Sequence, residues 1–292
     1  MPELPEVETV VRGLNRLILK KKISKVKHDW PKSFPNAPKD VEDFMVGAEI
    51  SKVSRRGKAI ILKLNNEYTL VTHLRMTGQM VYRGEENWGA GHPNEDFLND
   101  LPNKSTRVEI DFEDGTKLFF NDQRKFGYMK LLPDFEVELL PFFQNLGPEP
   151  LENNFTVEVL ERQLSRKRKS MVKPAILDQS VVAGVGNIYA DEALWAARIA
   201  GARPGSSLSK AKLKLLLQST GEVMQRALAQ GGTSFDALYV NTEGESGYFA
   251  RSLEVYGREG QACSRCGRLL RKEVIGGRSH VRCPNCQRNK QG

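Results

Sequence analysis

Apolar residues near the start of the chain recur with the spacing of one helix face. They are Val7, Val10, Val11, Leu14, Leu17 and Ile18. This stripe predicts an amphipathic helix that packs on a core. Two pairs of strand-like runs follow, Ala59–Leu64 with Tyr68–Leu74 and Arg107–Phe112 with Lys117–Phe120, each pair joined by a short polar turn. Such runs predict antiparallel hairpins. We therefore expect one helix on an antiparallel β-sandwich.

The pattern becomes helical after the Gly- and Pro-containing segment 146–151. Apolar positions between 213 and 228 predict one long helix, and the Gly231-Gly232 pair is expected to end it. The glycine turn in 182–186 separates two shorter helical stretches, as in helix-turn-helix devices. The expected fold class is α+β with three domains, at 1–145, 151–235 and 236–292.

All four cysteines lie in the C-terminal segment with zinc-ligand spacing. The pattern is Cys-x₂-Cys, sixteen intervening residues and a second Cys-x₂-Cys, formed by Cys263, Cys266, Cys283 and Cys286. Four thiolates favour one closed, structural zinc site, with two disulfides as the alternative. Between the cysteine pairs, residues 273–281 predict a β-hairpin with a Gly-Gly turn. Arg278 is expected at its tip.

Charge is concentrated in the same segment. The 292 residues carry 44 Lys and Arg against 36 Asp and Glu, a net +8, and residues 251–292 hold ten Lys and Arg against three Glu, a net +7. This excess suits a polyanion. No apolar run reaches the roughly 20 residues of a membrane span, and no signal-peptide core is present. We expect a cytoplasmic protein.

The first six residues, Met-Pro-Glu-Leu-Pro-Glu, carry candidate chemistry. If Met1 is removed, Pro2 has a free secondary amine with a pKa of roughly 8. Such an amine can attack an aldehyde-level carbon and form an iminium. Glu3 and Glu6 share one side of a starting helix and can move protons. The same residues are also typical of an ordinary acidic helix start, so both interpretations stay open here.

Four motifs, in this order, resemble those of the bacterial formamidopyrimidine-DNA glycosylases over almost the whole chain. They are Met1–Thr9, Asp122–Gly127, Gly184–Glu192 and Val255–Arg258 ahead of the cysteine pairs. The resemblance implies a helix-two-turn-helix DNA-binding domain at 151–235, and a lesion loop with a zinc-ribbon hairpin at 236–292.

The resemblance also implies an activity. It is that of a bifunctional DNA glycosylase and abasic-site lyase of base-excision repair, a monomer that acts on oxidised purines in double-stranded DNA and holds one structural zinc ion. Pro2 would be the nucleophile, with Glu3 and Glu6 handling protons. Lys58, which otherwise is a solvated charge at a strand start, would contact phosphate and serve the first elimination. Arg278 would serve the second.

Several other positions have a structural and a DNA-binding interpretation. Met76 and Phe126 would pass as core residues, whereas the resemblance places them with Arg124 in the gap left by a flipped nucleotide. The cationic run 166–169 and Lys173 fit a solvated face or a phosphate backbone. Asn187 suits an N-cap or a phosphate site. The resemblance favours DNA contacts for Lys169, Lys173, Asn187 and Tyr256.

The chain also departs from the family pattern. Ser105 stands where many relatives have histidine, although it can still bind phosphate, and residues 85–103 are an apparent insertion without an assigned role. Segment 231–247 resembles the loop over the flipped base. Two alternative functions remain: an endonuclease VIII-like enzyme for oxidised pyrimidines, which Leu4 argues against, and a non-catalytic zinc-dependent protein that binds damaged DNA.

Overall fold

The computed structural model describes residues 1–92, 99–233 and 249–288. The chain divides into two compact units, one with residues 1–144 and 230–250, the other with residues 145–229 and 251–292. The described residues 230–233, 249 and 250 therefore group with the N-terminal unit, while the predicted domain boundaries stay predictions. Within the described ranges, no helix is long and apolar enough to cross a membrane.

The first unit contains the predicted helix and two antiparallel sheets. Its strands are β1 (Ile23–His28), β2 (Ile50–Arg56), β3 (Ala59–Leu64), β4 (Tyr68–His73), β5 (Gly78–Arg83), β6 (Asn87–Gly91), β7 (Thr106–Phe112), β8 (Lys117–Asp122) and β9 (Tyr128–Pro133). Its helices are α1 (Leu4–Ile18), α2 (Pro38–Met45), α3 (Asp134–Val137) and α4 (Pro141–Gln144). One sheet has the order β1-β7-β8-β5-β6 and the other β2-β3-β4-β9.

The apolar face of α1 is part of the sandwich core. Val7, Val10, Leu14 and Ile18 are fully buried in one cluster with residues of both sheets. Burial of such side chains stabilises the fold by roughly 1.5–3 kcal/mol each. Packing of α1 on the core fixes the position of the chain's N-terminus, and the predicted helix-plus-sandwich architecture is confirmed.

The apparent insertion contributes a strand to the first unit. Strand β6 pairs with β5, and its Trp88 is buried. A Cβ atom at Gly13 of α1 would lie 2.1 Å from the Trp88 ring, so only glycine fits there. The first part of the insertion thus packs on α1, while residues 93–98 lie outside the described ranges.

The second unit contains the helices and the zinc-ribbon hairpin. Its elements are α5 (Val157–Arg166), α6 (Val172–Leu177), α7 (Asn187–Ala196), α8 (Lys210–Ala229), β10 (Arg271–Ile275) and β11 (Arg278–Arg282). The long helix predicted for 213–228 is α8. Gly276 (φ +57°) and Gly277 (φ +74°) form the hairpin turn, where two left-handed residues match the twist of the strands.

Helix α7 organises this unit through a buried carboxylate. Glu192 accepts hydrogen bonds from the backbone N–H groups of Glu254, Val255 and Tyr256, each at 2.9 Å. Burial raises the pKa of Glu192, and these three bonds oppose the rise. Glu192 lies in a motif quoted above, but the sequence alone did not assign it this role.

Candidate active site and zinc centre

The N-terminal residues form a compact acidic cluster at the start of α1. Pro2, Glu3 and Glu6 are buried, and Glu3 is the N-cap residue. The Glu3 backbone N–H donates to Glu6 Oε2 at 2.9 Å, which is one half of a capping box. The ordinary helix-start interpretation is therefore correct for the local structure, and it also holds both carboxylates beside Pro2.

Glu6 is fixed by a second group of donors. Its Oε1 accepts from the Thr233 backbone N–H at 2.8 Å and from Thr233 Oγ1 at 2.9 Å. Gly232 (φ +87°) approaches so closely that a Cβ atom there would lie 2.9 Å from Glu6 Oε1. The carboxylate of Glu6 thus joins α1 to the start of the predicted lesion loop, whose residues 234–247 lie outside the described ranges.

The electrostatic setting favours a neutral terminal amine. Burial lowers the pKa of the Met1 amine below its ordinary value, Lys58 lowers it further, and Glu3 and Glu6 oppose the shift. Once Met1 is removed, the amine belongs to Pro2, next to Glu3. A lowered pKa increases the fraction of amine that carries a free lone pair at neutral pH.

Lys58 lies in the two-residue turn between β2 and β3. Arg56 pairs with Ala59, and Gly57 occupies the first turn position with φ +57°. Lys58 is 5% exposed, so the solvated-charge interpretation is wrong. Its charge acts on the Met1 amine and on His73, which places it in the same electrostatic environment.

His73 is a site neighbour that sequence reasoning missed. It ends β4 opposite Ala59, and its Nδ1 accepts from the Arg75 backbone N–H at 3.0 Å. Burial, followed by the charges of Arg75 and Lys58, lowers the pKa of His73 to about 3. The imidazole is therefore neutral at pH 7 and adds no positive charge beside Lys58.

The burial of His73 predicts a pH-dependent stability. The folded-state pKa of His73 lies below the unfolded value of about 6.5. The contribution of His73 to the free energy of unfolding is therefore complete above pH 6.5. It is lost as pH falls towards 3, by up to about 1.4 kcal/mol per pH unit. His73→Asn keeps an acceptor for Arg75 and removes the titration. Urea unfolding at pH 7 and pH 5 should show a smaller acid destabilisation in this variant. An unchanged pH dependence would contradict the assignment.

The structure brings Met76, Arg124 and Phe126 together on the surface. Met76 is 38% exposed and Phe126 is 54% exposed, so neither is a core residue. Arg124 Nη1 lies 3.4 Å from Met76 Sδ, and its guanidinium carbon lies 5.0 Å from the Phe126 ring centroid. Two exposed apolar side chains beside an exposed cation form one projecting group.

Asp122 holds the two loops that carry this group. Its carboxylate accepts from the Thr77 hydroxyl, from the Arg124 backbone N–H at 3.2 Å and from the Gly127 backbone N–H at 2.6 Å. Asp122 is itself 0% exposed. A buried, fully satisfied carboxylate is a rigid support for exposed side chains.

The remaining predicted DNA contacts have different environments. Lys169 is exposed and Tyr256 is half-buried. Asn187 is the first residue of α7, with Gly186 as the N-cap, so the N-capping alternative is wrong. Ser105 is 2% exposed, and this burial argues against the phosphate contact predicted for it.

The phosphate contact predicted for Lys173 needs correction. Lys173 is 0% exposed, and its ammonium group lies 2.6 Å from Asp191 Oδ1. A cation enclosed in this way cannot reach a DNA backbone from its position in the structure. It stands only four residues after the exposed Lys169, so the charge run was misleading at this point.

The four cysteines converge as their spacing predicts. Their four Sγ atoms all lie within 4.8 Å of one another. This arrangement fits the four thiolate ligands of a tetrahedral zinc ion. The module packs on α7 through Trp195, whose Nε1 donates to Cys263 Sγ at 3.5 Å and whose ring lies 3.9 Å from the Arg265 guanidinium carbon. Arg278 begins β11 and is exposed beside the Gly-Gly turn.

Three family models cover most of the chain. Residues 1–129 match the formamidopyrimidine-DNA glycosylase N-terminal domain, residues 146–237 match the formamidopyrimidine-DNA glycosylase H2TH domain, and residues 260–289 match the zinc finger found in FPG and IleRS. With the four-cysteine cluster, the last match identifies Cys263, Cys266, Cys283 and Cys286 as the ligands of one structural zinc ion.

Full-length relatives agree with the family models. The chain is 43% identical over 295 residues to a formamidopyrimidine-DNA glycosylase of Mycolicibacterium paratuberculosis, covering 98% of each chain. It is 40% identical over 299 residues to that of Corynebacterium aurimucosum, covering 100% of this chain and 98% of the relative.

Solved structures show the same similarity. The Lactococcus lactis Fpg bound to abasic-site DNA matches with a TM-score of 0.87 and 33% identity over 98% of this chain and 100% of that one. The wild-type enzyme with N7-benzyl-Fapy-dG DNA matches with a TM-score of 0.86 and 33% identity over 99% and 100%. The chain therefore belongs to the formamidopyrimidine-DNA glycosylase family.

Proposed function

We propose that this protein removes oxidised purines from double-stranded DNA and cuts the strand at the resulting abasic site. The observation that carries the proposal is the buried N-terminal cluster, in which Pro2 lies beside Glu3, Glu6 and the charge of Lys58. Bacterial relatives named formamidopyrimidine-DNA glycosylase, and solved relatives bound to abasic and Fapy-dG DNA, support it.

The first chemical stage replaces the bond to the damaged base. The lone pair of the Pro2 nitrogen attacks C1′ of the flipped nucleotide, the glycosidic bond breaks, and the base leaves with a proton. Glu3 supplies the proton that opens the sugar ring. An iminium double bond then joins the Pro2 nitrogen to C1′. Glu6 holds the backbone of Glu3 and the loop start at Thr233 while this occurs.

Two eliminations follow from the iminium. Loss of a proton from C2′ expels the 3′ phosphate, and loss of a proton from C4′ expels the 5′ phosphate. Lys58 serves the first step and Arg278 the second. Water then hydrolyses the iminium and frees Pro2.

The exposed side chains of Met76, Arg124 and Phe126 hold the DNA in a bent, opened form. Met76, Arg124 and Phe126 occupy the gap left by the flipped nucleotide, which offsets a cost of a few kcal/mol. Lys169, Asn187 and Tyr256 contact phosphate. The zinc ion supplies folding energy to the hairpin that carries Arg278 and takes no part in the chemistry. Through this binding the protein associates with the bacterial nucleoid.

A cleavage panel tests the substrate class. Duplexes carry 8-oxoguanine, a formamidopyrimidine or an oxidised pyrimidine, each opposite C or A. We expect 8-oxoguanine opposite C to be cut with the highest kcat/KM. Protein that retains Met1 ahead of Pro2, in which the Pro2 nitrogen is an amide without a free lone pair, is the control for nicking by contaminants.

The panel also separates the alternatives. Preference for an oxidised pyrimidine would assign the protein to the endonuclease VIII type. Binding without strand cleavage on every duplex would assign it to non-catalytic damage recognition. Either result would overturn the proposed function.

A further inference from the structure

Three ionisable side chains lie buried together beneath the zinc-ribbon hairpin. Lys173 on α6, Asp191 on α7 and His280 on β11 are each 0% exposed. Asp191 Oδ1 lies 2.6 Å from Lys173 Nζ and 2.6 Å from His280 Nδ1. Buried charges are costly unless they are paired with good geometry. The reaction scheme above uses none of these three groups.

The hydrogen bonds determine which atom of His280 carries a proton. Asp191 Oδ2 also accepts from the Val281 backbone N–H at 3.0 Å, so this carboxylate is an acceptor throughout and His280 Nδ1 donates. Lys173 already balances the charge of Asp191. His280 Nε2 has no hydrogen-bond partner within the described part of the chain, and a Cβ atom at Gly201 would lie 2.9 Å from it.

These contacts act on the residues directly after Arg278. The Ser279 carbonyl accepts from Lys173 Nζ, and Ser279 Oγ is bonded to Asn187 Nδ2 at 3.2 Å. Together with the bonds to His280 and Val281, they tie residues 279–281 to α6 and α7. The Arg278 side chain stays exposed.

The hairpin turn is seated on the same helix. A Cβ atom at Gly276 would lie 2.7 Å from Pro174 Cγ, the residue that follows Lys173. The turn and the first part of β11 are therefore both held against α6, on either side of Arg278. Small shifts of this platform change where the Arg278 guanidinium points.

We propose that His280 is a positioning residue for Arg278. His280 donates from Nδ1 to the Asp191 carboxylate and thereby fixes the position of β11 relative to α6 and α7. The position of β11 in turn determines the direction in which the Arg278 side chain points. The inference rests on the role proposed above for Arg278 in the second elimination. It assigns no contact between His280 and DNA.

Two variants of His280 form a matched pair. His280→Asn keeps an N–H donor near the Nδ1 position, whereas His280→Leu keeps the volume and removes the donor. On abasic DNA, the ratio of second-elimination to first-elimination product is measured, together with borohydride trapping at Pro2 and zinc content. Because a misplacement of about 1 Å can cost on the order of 10²-fold, we expect His280→Leu to lower this ratio about tenfold. His280→Asn should stay within about threefold of the wild type, and trapping should stay within about twofold.

A double-mutant cycle isolates the effect on Arg278. In an Arg278→Ala background, His280→Leu should cause no further change of the ratio. Gly201→Ala, which pushes on His280 Nε2 and removes no polar group, should lower the ratio in the same direction and serves if His280→Leu loses zinc.

Several outcomes would overturn the inference. They are a wild-type ratio in both His280→Leu and Gly201→Ala, equal impairment of the Leu and Asn variants, or a further loss in the Arg278→Ala background. A normal ratio in Arg278→Ala alone would instead overturn the proposed role of Arg278, and this inference with it. The trapping measurement separates both results from a failure of the proposed glycosylase chemistry at Pro2.

Discussion

Protein that retains Met1 ahead of Pro2 is expected to lose covalent trapping on lesion DNA and strand cleavage by about 10³-fold or more, as for removal of a catalytic nucleophile. An acylated proline nitrogen is an amide, and its lone pair is delocalised into the carbonyl group. Borohydride reduction of the iminium should join the DNA to the N-terminal peptide only when Pro2 is the first residue. Mass spectrometry of the adduct and of the active protein checks both statements.

The same preparation provides the control. Treatment of the Met1-retaining protein with methionine aminopeptidase should restore trapping, because the enzyme removes Met1 and leaves every residue from Pro2 onward unchanged. Pro2→Gly should trap less, because a primary amine forms an imine but lacks the fixed geometry of proline. Trapping by the blocked protein would identify a lysine such as Lys58 as the nucleophile and refute the role of Pro2.

Cys266→Ser is expected to lose the structural zinc and to bind lesion DNA about 100-fold more weakly, because the module depends on metal for its fold and contributes cations to phosphate binding. Residues 251–292 carry a net +7 from ten Lys and Arg and three Glu. The core of the first unit contains no cysteine. The unfolding transition of this unit should therefore be retained. Zinc content, binding at fixed salt and urea unfolding measure the three effects.

Ser264→Ala is the matched control, because Ser264 lies between two zinc ligands but donates its hydroxyl to Glu254. It should keep zinc and DNA affinity close to those of the wild type. Normal DNA affinity in zinc-free Cys266→Ser protein would contradict the structural role of the metal.

Elements with a strong local pattern were predictable. A clear hydrophobic period is combined with turn or end signals in α1, α8 and the β3–β4 and β7–β8 hairpins. The zinc-ribbon hairpin was predictable from its Gly-Gly turn between the two cysteine pairs. The same patterns did not indicate β1, β2 or β6. In β1 and β2 two consecutive polar residues separate the apolar ones, which is not the alternation typical of a strand, and β6 contains two glycines. These strands form because partner strands supply hydrogen bonds and packing, which is information from distant parts of the chain.

The candidate site divides in the same way. Cysteine spacing and the order of the motifs were sufficient to identify the zinc ligands and the family, since both depend only on residue type and separation along the chain. Burial was not predictable in this way. Lys173 and the exposed Lys169 look alike in one charge run, and Met76 and Phe126 look like core residues.

The sequence by itself determined the chemistry that is available: an amine-terminal proline after processing, two nearby carboxylates, four metal-binding thiolates and a basic C-terminal segment. Only the tertiary structure decided which charges face solvent and which are paired inside. It placed His73 beside Lys58. It also positioned Asp122 to hold the loops that carry Met76, Arg124 and Phe126. In the second unit, it buried Lys173 together with Asp191 and His280. Each of these arrangements depends on segments far apart in the chain, and the cost of burying an unpaired charge selects the fold in which they meet.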